Sequence, residues 1–85
     1  MNYELAKQLK DAGFPWKGPF FENEEYYREY YPTLSELIEA CGDKFDALVS
    51  SERSGGWMAT DGRGLSGDGS TPEEAVANLW LELNK

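Results

Sequence analysis

The sequence predicts an α+β fold: a small antiparallel sheet of three or four strands packed against three helices, in the order α-(β)-α-β-β-(β)-α. Three observations predict it. Thr33-Leu34-Ser35-Glu36 and Thr71-Pro72-Glu73-Glu74 each read as a capping box opening an apolar stripe of helical period. Leu5, Ala6, Leu9 and Ala12 form a third such stripe, closed by Gly13 and Pro15. Between the Leu34–Cys41 stripe and the one that Thr71 opens, the pattern changes to alternation broken by glycine-rich turns, as in short hairpin strands.

The first helix is expected from about Tyr3 to Ala12, with Asn2 as N-cap and Glu4 in the turn where the helix dipole favours an acid. Lys10 complements the other end, Gly13 takes the left-handed C′ position and Phe14 packs back on the last turn. An aromatic, acidic connection follows, Trp16 to Tyr31, with Lys17-Gly18-Pro19 as a turn. Within it Glu25–Tyr31 fits more than one conformation. Tyr26 and Tyr30 are four apart, as in a helix, whereas Tyr27, Glu29 and Tyr31 alternate with Tyr26, Arg28 and Tyr30, as in a strand. Four clustered tyrosines, and Pro32 after Tyr31, favour a short strand.

In the second helix Leu34, Leu37, Ile38 and Cys41 make the stripe and Gly42 ends it. Phe45 to about Glu52 reads as a strand, Ser54-Gly55-Gly56 as a hairpin turn and Trp57–Thr60 as the return strand. After a turn at Asp61-Gly62-Arg63-Gly64, a third short strand is expected over Gly64–Gly67, before Asp68-Gly69. The last helix runs from Thr71 to about Asn84. Pro72 stands at N1, where its missing N–H costs nothing, and Val76, Leu79, Trp80 and Leu83 form a stripe that Ala75 widens. The expected core is Leu5, Leu9, Leu34, Leu37, Ile38, Phe45, Leu48, Trp57, Val76, Leu79, Trp80 and Leu83.

With 85 residues the chain reads as a single domain. At that size only about 60–65% of the unfolded surface is buried, so each core residue counts. Three Trp, five Tyr and four Phe supply large side chains to a sequence that is only 40% hydrophobic. A lone cysteine forms no intrachain disulfide. The opening residues lack a signal-peptide pattern, and no apolar run is long enough to span a bilayer, so the sequence reads as cytoplasmic.

Net charge is −8, and the segment Glu22–Asp46 holds eight carboxylates against Arg28 and Lys44. This field opposes direct contact with a nucleic-acid backbone. It suits a basic protein partner, although acidity also serves solubility alone. Histidine is absent, which removes the commonest general base and most zinc ligand sets. Cys41 has no base to activate it and lies on an apolar stripe, as a small core residue would. The stretch Asp61–Ser70 invites comparison with a phosphate cradle or a calcium loop. It lacks Gly-Lys-Ser/Thr, and it lacks the alternating acidic ligands and the bidentate Glu of a calcium loop, so turn glycines explain it better. No catalytic, cofactor or metal residue is expected, and the chain is expected not to be an enzyme. The candidate binding residues are Glu22, Glu24, Glu25, Tyr26, Tyr27, Glu29 and Tyr30, because exposed tyrosines beside acids suit a protein interface.

Pro32–Gly42 (PTLSELIEACG), Thr71–Lys85 (TPEEAVANLWLELNK) and the opening Tyr3–Phe14 resemble a group of small proteins encoded by phages and prophages, with no activity assigned to the group. That resemblance implies a bacterial host. Trp57–Asp61 together with Gly69–Ala75 is similar, more distantly, to the strand–turn–helix of HicB-like antitoxin domains. This second likeness implies a small antiparallel sheet backed by a helix, although here two helices precede the hairpin. The expected function is therefore non-catalytic binding of a host or phage protein, as monomer or homodimer. An antitoxin-like or self-associating module is the alternative.

Overall fold

The computed structural model describes residues 3–15, 32–51 and 55–85. Its helix ends follow from local chemistry. α1 (Tyr3–Asp11) stops at Gly13, whose φ of 89° suits a residue without a Cβ. The Phe14 N–H reaches back to the Leu9 carbonyl at 2.9 Å and the Gly13 N–H to Lys10 at 3.0 Å, the paired bonds of a Schellman end. α2 (Leu34–Cys41) begins with the expected full capping box: the Glu36 N–H donates to the Thr33 hydroxyl at 3.2 Å, and the Thr33 N–H to the Glu36 carboxylate at 3.0 Å. Gly42 ends this helix at φ 65° and leads into one 3₁₀ turn, Gly42–Lys44. α3 (Pro72–Leu83) has Thr71 as N-cap, with the Glu74 N–H 3.2 Å from its hydroxyl. The Glu74 carboxylate accepts from the Ser70 hydroxyl at 3.1 Å, one residue upstream of the position a capping box uses.

Three strands form one antiparallel sheet in the order β1 (Ala47–Ser51), β2 (Gly56–Thr60), β3 (Ser66–Gly69). Leu48, Ala59 and Gly67 share one cross-strand row, and Ala47, Thr60 and Ser66 the next. The first row faces α3, and Ala59 and Gly67 are buried there. The expected fourth strand at Glu25–Tyr31 and the Asn2 cap lie outside the described residues. β1 starts later than expected, because the 3₁₀ turn claims Phe45, whose N–H bonds the Gly42 carbonyl at 3.3 Å.

The third strand corrects a second expectation. It spans Ser66–Gly69, not Gly64–Gly67, so Asp68-Gly69 is strand and not turn. The reason is tertiary. A Cβ on Gly67 would run into the Leu79 N and Ala75 O of α3, with the Asn78 carbonyl carbon 2.7 Å away. A Cβ on Gly69 would sit 2.6 Å from the Ala75 N. These glycines let a strand lie directly on a helix backbone.

α3 is the hub. The sheet packs on one side of it, and α2 and α1 pack on the remainder. Ala75, Val76, Ala77, Leu79 and Trp80 are all buried, a wider surface than one stripe, as befits a helix covered on several sides. Phe14 meets Trp80 edge-on, ring centroids 5.1 Å apart at 74°, which ties the end of α1 to the hub. Of the expected core, Leu5, Leu9, Leu37, Val76, Leu79 and Trp80 are buried. Leu34, Ile38, Phe45, Leu48, Trp57 and Leu83 are half-buried around them. Ala6 and Ala75, expected on apolar stripes, are fully enclosed, and so are Ala59 and Ala77, which the expectation passed over.

Candidate interaction surface

All seven candidate residues, Glu22, Glu24, Glu25, Tyr26, Tyr27, Glu29 and Tyr30, lie outside the described residues. Of the other acids in that segment, Glu36 is occupied with its cap, whereas Glu39, Asp43 and Asp46 are exposed. Among the described residues no buried side chain is polar or charged, so the acidic groups there stand at or near the surface.

Sequence-distant acids meet where the α2–β1 connection faces the β2–β3 turn. A hollow of about 420 Å³ is lined by Asp43, Asp46 and Asp61, with Lys44 and Arg63 beside them and Phe45, Leu65 and Leu83 supplying apolar surface. Asp61 is held by the turn it opens. One oxygen of its carboxylate accepts the Arg63 N–H at 2.8 Å and the Leu65 N–H at 3.0 Å. The Arg63 N–H does most to hold this carboxyl below its ordinary value. The Thr60 hydroxyl accepts from the Gly62 N–H at 2.8 Å and finishes the turn. A second hollow of about 480 Å³ lies between the end of α1, β3 and α3, bordered by Gln8, Asp68, Asn78 and Glu82 among others.

The glycine-rich stretch therefore divides by task. Gly62 and Gly64 have φ of 73° and 109° and serve the turn. Gly67 and Gly69 serve close packing on α3. Among the described residues no group of three His, Cys, Asp or Glu is placed to hold a metal ion. Cys41 is only 6% exposed, and burial pushes its thiol up to about 11. At neutral pH it is a protonated core group.

The two edges of the sheet differ in a way sequence reasoning missed. The Asp61 N–H donates to the Leu65 carbonyl across the β2–β3 turn. Alternation from that bond turns the main-chain groups of Ala59 and Trp57 towards β3, and those of Thr60 and Met58 towards β1. The Asp46 N–H, 2.9 Å from the Thr60 carbonyl, agrees with this phase. The N–H and C=O groups of Leu48 and Ser50 then point outward from β1, and those of Ser66 and Asp68 outward from β3. At β3 the Asn78 side chain of α3 donates to the Asp68 carbonyl at 2.7 Å. At β1 no described residue covers the outward groups, no residue from Ala47 to Ser51 is charged, and the Val49 side chain is 43% exposed. A polar Asn between buried Ala77 and Leu79 was the available sequence signal, but its partner lies ten residues back on another element.

Comparison with protein-family models, with curated proteins and with solved structures finds no match to this chain. No helix among the described residues is long and apolar enough to cross a membrane.

Proposed function

We propose that this is a non-catalytic binding module of phage or prophage type, which engages a basic host or phage protein in the bacterial cytoplasm through its acidic surface. The observation that carries the reading is charge: −8 on 85 residues, with eight carboxylates between Glu22 and Asp46. Surface charge of one sign speeds encounter with, and favours, partners of the opposite sign. The tyrosines interleaved at 26, 27 and 30 add the residue type that most often anchors such contacts. The hollow at Asp43, Asp46 and Asp61 adds apolar surface beside carboxylates, suited to the stem and head of a lysine or arginine.

The test is capture of a partner from host lysate, its identification, and titration of the purified pair at about 50 and 500 mM salt, where screening lengths differ several-fold. The expected result is a partner of net positive charge whose affinity falls at least tenfold at the higher salt. Neutralising Glu22, Glu24, Glu25 and Glu29 to Gln should weaken it, and replacing Tyr26, Tyr27 and Tyr30 by Ala should do so independently of salt. A partner bound equally at both salts, or unaffected by both sets of changes, overturns the reading.

A further inference from the structure

We infer that the outer edge of β1 is where the partner docks, taking in an extended, basic segment of that protein as a fourth strand. The inference rests on the protein-binding reading above and names the mode of binding.

Main-chain geometry carries the first step. The outward N–H and C=O groups of Leu48 and Ser50 present two donor–acceptor sets about 7 Å apart, the repeat of an extended strand. Among the described residues nothing covers them, so an incoming strand finds its hydrogen-bond partners already aligned. The opposite edge is open in part: Asn78 holds the Asp68 carbonyl and the Asp68 carboxylate is exposed beside it, while the outward Ser66 groups and the Asp68 N–H have no hydrogen bond to a described residue. Exposed edges in natural sheets are ordinarily blunted by charge, proline or a covering element. Ala47-Leu48-Val49-Ser50-Ser51 has neither charge nor proline.

Charge carries the second step, the choice of occupant. Asp43, Lys44 and Asp46 precede β1, with the Asp46 carboxyl turned to Gly62 of the β2–β3 turn, so the charge that bears on the occupant is the −8 of the whole chain. A second copy would bring another −8 to the same edge, so like-charge repulsion opposes pairing of β1 with its own counterpart. A segment alternating basic and apolar residues gains instead on both counts. Its apolar side chains meet Val49 and Met58, paired neighbours on the sheet face turned away from α3, and its cations are favoured by the net charge of −8 on the chain.

The experiment uses the full chain, isotopically labelled, and a synthetic eight-residue peptide of alternating lysine and valine as probe. Binding at low salt is expected to slow amide exchange at Leu48 and Ser50 at least tenfold and leave Ser66 and Asp68 unchanged. Ser50→Pro removes an outward N–H that the sheet itself does not use. It should weaken the peptide at least tenfold, whereas Ser50→Ala should not. Should Ser50→Pro fail to fold, a peptide N-methylated at alternate residues serves the same purpose without touching the protein, and it should not bind. Peptide that binds but protects β3 or no strand, or that binds the Pro variant as well as the parent, overturns the edge assignment and leaves the acidic-surface reading standing. Absence of any binding at low salt overturns the edge assignment as well. A stable dimer in the free protein that Ser50→Pro dissociates makes a second copy the occupant, and overturns the choice of a basic partner.

Discussion

The two edges of this sheet have the same length scale and the same antiparallel neighbour, yet opposite treatment. β3 is pressed against α3 through two glycines and has one outward carbonyl tied by Asn78. β1 is more apolar, more exposed at Val49, and has no described residue across its outer edge. The contrast separates two uses of short strands. β3 gives up side chains so that a helix can approach, and its role ends in the fold. β1 keeps side chains and open main-chain groups, so what it can do extends outside the fold.

The largest effect should come from breaking the β3 side. Gly67→Ala places a Cβ against three backbone atoms of α3 that have nowhere to move, and should cost about 3 kcal/mol or more, read from urea unfolding. That is a large share of the roughly 4–13 kcal/mol expected for a domain of this length. Leu79→Ala, which empties a fully enclosed site on the same helix, should cost about 2–5 kcal/mol by the same measurement. Asn78→Ala sharpens the comparison. Losing the bond to Asp68 should cost about 1 kcal/mol and, by leaving β3 as open as β1, speed amide exchange along Ser66–Gly69. The smallest effect belongs to β1. Val49→Lys adds a charge on an exposed site and should shift unfolding by less than about 0.5 kcal/mol, while it lowers affinity for a basic partner. A destabilisation at Val49 comparable to that at Gly67 would erase the distinction between the edges.

Much of this architecture was legible in the chain because its signals are local. Thr33 with Glu36 and Thr71 with Glu74 mark helix starts through bonds three residues long, and Gly13 with Phe14 marks a helix end through bonds of three and five. What escaped depends on distance. Gly67 and Gly69 share their composition with the turn glycines Gly62 and Gly64, and only the approach of α3 distinguishes them. Ala59, Ala75 and Ala77 have little apolar area to recommend them as core, yet they are fully enclosed because the sheet and the other helices cover α3 on several sides. The late start of β1 follows from a 3₁₀ turn that no capping signature announces. For binding, the sequence pointed to Glu22–Tyr30 by composition. The open edge and the Asp43–Asp46–Asp61 hollow exist only once separate elements are brought together.

Cys41 adds a gauge to this fold. Its sulfur is enclosed, and a thiol raised to about 11 has only on the order of one molecule in a thousand or fewer ionised near pH 8, so a thiol-specific dye meets almost no nucleophile while the core is closed. Opening restores both access and an ordinary thiol near 9.0. Where labelling is slower than reclosing, the rate of dye uptake by this single sulfur therefore reports the fraction of molecules open at Cys41. A partner seated on β1 should slow that uptake only as far as it steadies the fold around Cys41.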